Sequence, residues 1–379
     1  MQIPPEYHGR EQSYLKHRVL EKYLLEWGMK LGSTAPERLW YVDCFSGPWQ
    51  SASEKLEDTS IHIGLKVMSA AVDTWRQQGR RISGHAIFVE KDPNAYKALK
   101  AHLDTLDLGI ATLPLFGEFG EHADGIALRL GKDPAFIFVD PTGFKGVGIR
   151  HIAKLVNEPR RDVLINVMFN HLRRFKDDSR EFLRDVFREF FGQDIPPGLS
   201  EEQLMRFYRD GLKKQAKLRY AADLAMPHPT MERTWFRLVV AGDHRKVLDV
   251  FRAVEAKVMA NEAAQVRTGA RDRMTEQQTG QLALLDTSPE CDAWYAKENE
   301  SGREAAIQAL IQDVRIRKES TAYGQLWPRL LEEHHITLRE LSQLVIDRAE
   351  AGVLRIEPKR RRRSRVADED MVSLGSGAA

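Results

Sequence analysis

The feature that most constrains the fold of this chain is a set of five short, mainly apolar segments. Helical patterns lie between most of them. The apolar segments are residues 39–42, 85–89, 111–116, 135–139 and 163–168. Strands that are apolar on both faces belong to parallel sheets covered by helices on both sides. In the segments between them, apolar residues recur every three to four positions, as helices require. The pattern therefore predicts an α/β protein with a parallel central sheet.

The rest of the chain divides by composition and periodicity. A charged helical stretch interrupts the alternation before a further apolar strand at 234–240, and polar residues follow. Near the C-terminus, two helical patterns precede a short strand, which is the order of a small winged-helix unit. We therefore predict a first domain at 1–263 with a helical insertion at about 177–226, a linker at 264–300, a small helical, winged-helix-like unit at 301–357, and a basic and then flexible tail at 358–379.

Composition argues against a membrane protein and against a disulfide framework. No stretch approaches the ~20 apolar residues that a membrane span needs, and the first residues lack the layout of a signal peptide. Cys44 and Cys291 are the only cysteines, too few for a disulfide framework or a cysteine zinc site. His244 and the pair His334–His335 lack the carboxylate or cysteine pattern of a metal site. We expect a cytoplasmic protein without metal or membrane.

Charge is nearly balanced overall but is concentrated locally. The chain has 57 basic and 55 acidic residues, for a net charge of +2. Residues 359–365 nevertheless carry six positive charges in seven positions, and 213–219 form a second basic stretch. Such clusters predict contacts with the phosphates of RNA or DNA, or else a solvated surface that binds nothing. The candidate nucleic-acid-binding residues are Lys213, Lys214, Lys217, Arg360, Arg361, Arg362 and Arg363.

Three of the apolar segments run directly into an acidic residue, namely Asp43, Glu90 and Asp140. Ligands of parallel sheets bind beyond the carboxyl ends of the strands. The turn after the first strand has one glycine, Gly47, and lacks the G-x-G-x-x-G series that places a pyrophosphate on a helix N-terminus. An ordinary tight turn would look the same, but the turn favours S-adenosylmethionine (SAM) over a dinucleotide. The candidate cofactor-binding residues are Asp43, Phe45, Gly47, Glu90, Asp92 and Glu118.

Each of these residue types suits a part of the cofactor. Gly47 allows the ligand to approach the backbone, and Asp43 can accept hydrogen bonds from the amino-acid end of the ligand, directly or through water. Glu90 is placed to hold both ribose hydroxyls. Glu118 is either an adenine contact or a plain surface residue. The turn containing Asp92 also predicts a cap for the following helix.

The fourth strand ends in Asp140-Pro141-Thr142-Gly143-Phe144. Enzymes that methylate exocyclic amines of bases have an Asp/Asn-Pro-Pro-aromatic loop here, whose polar groups accept hydrogen bonds from the target NH2 while the ring stacks on the flipped base. Asp140, Pro141 and Phe144 are therefore candidate catalytic residues. Thr142 and Gly143 depart from the pattern, and the alternative is that Asp140 and Pro141 merely end a strand.

Several motifs together resemble the three-Cys-motif partner proteins over about residues 14–260. They include Tyr41-Val42-Asp43-Cys44-Phe45-Ser46-Gly47-Pro48, Phe88-Val89-Glu90-Lys91-Asp92, Phe138-Val139-Asp140-Pro141, and the helix that starts at Lys16-His17. The resemblance implies a Rossmann-like class I methyltransferase sheet with helices on both faces, SAM binding, and a separately encoded partner with a cysteine motif. Trp49 stands where the family usually has glycine, and Asp58-Thr59-Ser60 replace a Gly-Ser-Pro-like turn.

Two functional hypotheses follow from these observations. The first is a SAM-dependent methyltransferase that acts on nucleic acid, at an exocyclic amino group. The second is a protein that keeps the methyltransferase fold without turnover and binds a partner or nucleic acid. Trp49 and the altered loop after Asp140 motivate the second hypothesis.

Overall fold

A computed structural model describes residues 3–34, 36–47, 56–175, 180–280, 291–358 and 364–375. The chain forms two compact units. Unit 1 comprises Met1–Val247 with Gln265–Ser288, and unit 2 comprises Leu248–Ala264 with Pro289–Ala379. Among the described residues, none of the helices combines the length and the apolar character needed to cross a bilayer.

Unit 1 is built on a seven-stranded sheet in the order β3-β2-β1-β4-β5-β7-β6. The strands are β1 (Arg38–Asp43), β2 (Ser83–Glu90), β3 (Ile110–Phe116), β4 (Ala135–Val139), β5 (Arg161–Val167), β6 (Tyr220–Pro227) and β7 (Thr234–Gly242). Neighbouring pairs among β1 to β5 are parallel, and β7 is antiparallel to both β5 and β6. The predicted Rossmann-like class I methyltransferase sheet is confirmed.

Helices cover this sheet. They are α1 (Glu11–Gly32), α2 (Ser60–Gln77), α3 (Pro93–Thr105), α4 (Phe119–Leu130), α5 (Ile149–Val156), α6 (Phe169–Phe175), α7 (Glu181–Phe191) and α8 (Glu201–Ala216), with a short 3-10 turn at Pro5–Tyr7. Helix α1 lies against β4: the rings of Tyr23 and Trp27 contact the ring of Phe136 at centroid distances of 5.6 and 5.9 Å. This packing places the first turns of α1 near the carboxyl end of β4.

The strand order reverses between β1 and β4. On one side of β1 the chain adds β2 and β3, and on the far side of β4 it adds β5. A crevice opens at such a switch point, beyond the carboxyl ends of the two strands. Asp43 ends β1 and Asp140 follows β4, so the topology brings two of the three predicted acidic residues to this crevice.

The predicted helical insertion at 177–226 requires a correction. Its described part contains α7 and α8, but its last residues form β6, a strand at the edge of the sheet. Alanine and methionine in this segment have weak strand preference, and Asp223 interrupts its apolar pattern. Asp223 is buried because Arg209 and Arg237 neutralise its charge. Neither partner is identifiable from the segment itself.

Unit 2 and the helices around residue 260 also differ from the prediction. Residues 264–300, predicted as a polar linker, are helical in most of their described part. Helix α9 (Lys246–Lys257) continues through a π-helical turn, Val258–Glu262, into α10 (Ala263–Thr279). Helix α11 (Ala293–Arg317) follows. The apolar side chains of α10 that are buried, Val266 and Ala270 among them, are too few to produce a recognisable helical stripe.

The remaining elements of unit 2 are β8 (Thr321–Ala322), α12 (Tyr323–Glu333), α13 (Leu338–Glu350), β9 (Leu354–Glu357) and β10 (Met371–Leu374). The three strands form an antiparallel sheet in the order β8-β10-β9. This is the element order of a winged helix. The tail predicted at 358–379 therefore contains a strand, β10. Its described part is also packed against the rest of unit 2, since Val366 and Val372 are buried and Trp327 donates a hydrogen bond to Asp368.

Candidate cofactor and substrate site

Two neighbouring cavities lie at the switch point in unit 1. The smaller, of about 70 Å³, is lined by residues that follow β1, β2, β3 and β4, including Phe45, Gly47, Glu90, Glu118, Phe119 and Thr142. The larger, of about 420 Å³, is lined by α1, the start of α2, the ends of β4 and β5, and the start of β7, including Lys16, Ser60, Asp140, Pro141, Asn166 and Trp235. Phe45, Gly47 and Thr142 line both, so the two cavities adjoin.

Glu90 is the predicted residue whose setting best suits a ligand. Its side chain lines the smaller cavity although the residue is only 7 % exposed. One carboxylate oxygen, Oε1, accepts a hydrogen bond from the backbone N–H of Asp92 at 2.6 Å. The other oxygen lies so close to Gly47 that a Cβ there would approach it to 1.9 Å. Gly47 is therefore required by the carboxylate that it faces.

Asp43 lies beneath the two cavities and holds the turn after β1 in place. It is fully buried and lies outside the described lining of both cavities, so its hydrogen bonding to the amino-acid end of a ligand, directly or through water, stays a prediction. Its carboxylate accepts hydrogen bonds from the Ser60 hydroxyl at 2.7 Å and from the Phe45 N–H at 3.1 Å. Burial raises the pKa of Asp43 to about 6, although both hydrogen bonds oppose the rise. Through Ser60, Asp43 positions the start of α2 in the wall of the larger cavity.

Asp92 and Glu118 have structural roles at helix N-termini. Asp92 caps α3 by accepting hydrogen bonds from the N–H groups of Asn94 and Ala95, as the turn predicted, and it lies outside the described lining of both cavities. Glu118 forms a capping box with Glu121 at the start of α4. Its exposed side chain also lines the smaller cavity, where Phe119 and Phe45 lie with ring centroids 5.7 Å apart. An aromatic wall and a carboxylate thus lie beyond Glu90.

Asp140 is held by two partners that sequence reasoning missed. Lys16 Nζ donates to its Oδ2 at 2.5 Å, and Asn166 Nδ2 donates to its Oδ1 at 2.7 Å. Burial alone would raise the pKa of Asp140, but the Lys16 ammonium and the Asn166 amide hold it below its usual value. Lys16 lies 124 positions earlier in the chain, in the segment that carries the family resemblance. The resemblance drew attention to this helix but gave Lys16 no role, and nothing in the sequence distinguished Asn166.

Pro141 and Phe144 differ in their positions. Pro141 lines the larger cavity beside Asp140. Phe144 is outside the described lining of both cavities and is packed edge-on against Phe187 and Phe190 of α7, at centroid distances of 5.3 and 4.8 Å. A ring held in the core in this way is not available to stack on a substrate base. The predicted stacking role of Phe144 is therefore not supported.

The residues predicted to bind nucleic acid are only partly described. Lys213, Lys214 and Lys217 lie at the C-terminal end of α8, where positive charges favour the helix dipole. Lys213 forms an ion pair with Asp210. Arg360, Arg361, Arg362 and Arg363 fall between β9 and β10 and lie outside the described residues, as does Trp49. The described part of the chain contains no group of three or more side chains arranged to hold a metal ion.

Comparison with known proteins identifies no family. No family model matches the chain, and no curated protein matches it. The chain is similar to solved structures that include a putative O-methyltransferase from Klebsiella pneumoniae (12 % identity, 60 % of this chain and 89 % of that one, TM-score 0.30), loganic acid methyltransferase with SAH (8 %, 73 % and 92 %, 0.32), and a SAM-dependent methyltransferase from Anabaena variabilis (11 %, 61 % and 94 %, 0.24). At TM-scores of this size, nothing about site or substrate follows from the similarity.

Proposed function

We propose that unit 1 binds SAM in the smaller cavity and transfers its methyl group to a nucleophile in the larger one. The observation that carries the proposal is the Glu90 carboxylate. It is buried, lines the smaller cavity, and has the glycine backbone of Gly47 directly against one oxygen. A buried carboxylate with accepting capacity to spare suits a pair of hydroxyl groups, and a ribose presents such a pair.

The residues around Glu90 fit the rest of the cofactor. Phe119 and Phe45 offer an apolar wall for an adenine ring, and the smaller cavity adjoins the larger at Gly47 and Thr142. When bound, SAM supplies an activated methyl group on a positively charged sulfur. The protein's own contribution is to orient the two reactants and to exclude water, which is what a direct transfer needs.

Calorimetry of SAM binding tests this proposal. We expect wild type to bind SAM, and Glu90→Gln to bind it about 10- to 100-fold more weakly, because hydrogen bonds to a charged acceptor become neutral ones. The control is Glu26→Gln, an exposed glutamate of α1 that pairs with Lys30. Its affinity should equal that of wild type. If wild type gives no heat with SAM or S-adenosylhomocysteine, the alternative remains, a methyltransferase-fold protein that binds partners without turnover.

A nucleic-acid substrate remains part of the proposal. The support for it is the charge of the stretch at 359–365, which connects β9 and β10, and of Lys214 and Lys217, whose side chains are exposed. A separately encoded cysteine-motif partner likewise stays a prediction. An exocyclic amine as the methylated group, in contrast, loses support. The Asp140 carboxylate was predicted to accept a hydrogen bond from this amine, but it already accepts one from Lys16.

Deleting residues 359–365 should weaken binding to duplex DNA or RNA and flatten its dependence on salt. Removing one ion pair with a phosphate reduces the slope of log K against log salt by about 0.9 on duplex DNA. Titrations at several salt concentrations measure the slope for the full chain and for the deletion variant. An unchanged slope would show that the run does not contact phosphates.

A further inference from the structure

Three polar side chains meet at the edge of the larger cavity, on three different elements. Lys16 comes from α1, Asp140 from the end of β4, and Asn166 from β5. The two oxygens of Asp140 are bonded separately, Oδ2 to Lys16 and Oδ1 to Asn166. The ammonium and the amide therefore flank one carboxylate, and all three line the same cavity.

This arrangement leaves one acceptor without a donor. Asn166 is only 3 % exposed, and its Oδ1 is buried with no hydrogen-bond partner among the described residues. The amide cannot be turned round, because its oxygen would then face the Asp140 carboxylate. A buried amide oxygen without a partner is costly, so the site is suited to a bound group that donates to it.

The same place also holds unused donors. A lysine ammonium has three N–H groups, and Asp140 is the one partner that Lys16 has among the described residues. Its side chain lines the cavity with 12 % exposure, so the remaining N–H groups are partly shielded from water. A group bound between Lys16 and Asn166 thus meets a cationic donor on one side and a neutral acceptor on the other.

Only one common class of nucleophile matches both sides. A neutral amine has a single lone pair, which must stay free for the methyl group, so it cannot also accept from Lys16. A carboxylate would accept from Lys16 but has no hydrogen for Asn166. A hydroxyl accepts at its oxygen and donates its hydrogen.

We propose that the larger cavity presents a substrate hydroxyl for methylation, with Lys16 donating to its oxygen and Asn166 accepting its hydrogen. This inference rests on the proposed function and names its nucleophile. In the transfer, a bond forms between the hydroxyl oxygen and the methyl carbon, while the carbon–sulfur bond breaks and its electron pair stays on sulfur. The hydroxyl proton leaves to water before the transfer, and Lys16 stabilises the oxyanion that remains, whose charge is neutralised as the methyl group arrives.

Phe45, Trp235 and Phe236 line the cavity around this pair, so the hydroxyl is expected on or next to a flat ring. A phenol and the 2′-hydroxyl of a ribonucleoside share this chemistry. DNA has no 2′-hydroxyl, and its exocyclic amines are the competing targets.

Transfer of a carbon-13 methyl group tests the nucleophile even while the substrate is unidentified. The full chain is incubated with methyl-labelled SAM and, separately, with the RNA, the DNA and the small molecules of a cell extract. The NMR shift of the methyl carbon then distinguishes attachment to oxygen from attachment to nitrogen. We expect a protein-dependent O-methyl signal in the RNA or the small-molecule fraction, and which fraction carries it identifies the source.

An N-methyl signal would overturn the hydroxyl inference and leave the proposed function standing. If SAM binds but no fraction acquires a protein-dependent methyl signal, the proposed transfer fails, and this inference with it.

Binding of small probes gives a readout that does not depend on turnover. In the presence of S-adenosylhomocysteine, saturation-transfer NMR should show phenol binding at least about tenfold more tightly than aniline or toluene. Lys16→Met and Asn166→Leu should each abolish this preference while both variants still bind S-adenosylhomocysteine, whose sulfur is neutral. Lys30→Met, at an exposed lysine of the same helix, should keep it. The absence of a phenol signal in wild type, or a preference that survives both substitutions, would overturn the inference.

The pH profile separates a chemical role of Lys16 from a structural one. Lys16→Arg should retain the ion pair with Asp140 and hence the fold, and its rate should show the hydroxyl titrating near the wild-type pH. In Lys16→Met the profile should move up by about 1–3 pH units, because a cation beside the hydroxyl no longer favours its ionised form. The charged groups near Lys16 are Asp140, Asp43, and Arg10 with Asp58, and His17 is neutral because burial lowers its pKa to about 3. Measurements above neutral pH avoid the titration of Asp43. Equal profiles for all three proteins would overturn the role of Lys16.

Discussion

Replacing Gly47 by alanine is expected to weaken SAM binding at least about a hundredfold. The new Cβ would lie 1.9 Å from Oε2 of Glu90 and 2.7 Å from its Cδ. Glu90 cannot rotate away cheaply, since the residue is buried and its other oxygen is held by the Asp92 N–H at 2.6 Å. The carboxylate would therefore leave the position from which we propose that it bonds both ribose hydroxyls.

Calorimetry with SAM measures this loss, and Gly125→Ala is the matched control. A Cβ at Gly125, in the middle of α4, meets no atom within 4 Å, so its affinity should equal that of wild type. Circular dichroism should give the same helix content for both variants. If Gly47→Ala binds SAM as wild type does, the cofactor is not held by Glu90 in the way proposed.

Replacing Arg237 by methionine is expected to destabilise the chain by about 3 kcal/mol, the lower end of the range for breaking a buried ion pair. Arg237 on β7 is 3 % exposed and bonds to Asp223 of the edge strand β6 at 2.5 Å. It also bonds to Glu201 and Glu202 at the start of α8. Methionine fills a similar volume but leaves Asp223 buried with Arg209 as its remaining cation. That remaining pair is why we expect the lower end.

Urea unfolding of the full chain measures this loss, with Lys30→Met as the control. Lys30 and Glu26 form an exposed pair on α1 and should contribute less than about 0.5 kcal/mol. A loss for Arg237→Met no larger than for the control would show that the β6–β7 network is not a source of stability.

The central sheet was predictable because its strands have a local signature. All five residues of β4 are buried, and its predicted bounds, 135–139, agree with the structure. Strand β6 has no such signature, since it lies at the sheet edge and its Asp223 is buried only through partners on other elements. The two helical patterns recognised near the C-terminus do not include α12, whose pattern is interrupted by Pro328.

The location of the candidate site was predictable from the sequence, but the separate roles of its residues were not. Strand ends placed Asp43, Glu90 and Asp140 at one edge, yet only Glu90 faces the smaller cavity. The environment of the other two carboxylates depends on residues distant in the chain. Asp43 accepts a hydrogen bond from Ser60 and holds the turn after β1 in place, and Asp140 forms an ion pair with Lys16. Such pairings depend on how α1 and α2 pack on the sheet, which no local pattern encodes.

A crystal structure with S-adenosylhomocysteine tests the central claim most directly. We predict both ribose hydroxyls within hydrogen-bonding distance of the Glu90 carboxylate, with the adenine against the wall formed by Phe45 and Phe119 and the sulfur toward Lys16 and Asp140. A ligand bound elsewhere, or a Glu90 side chain directed away from a bound adenosine, would contradict the account.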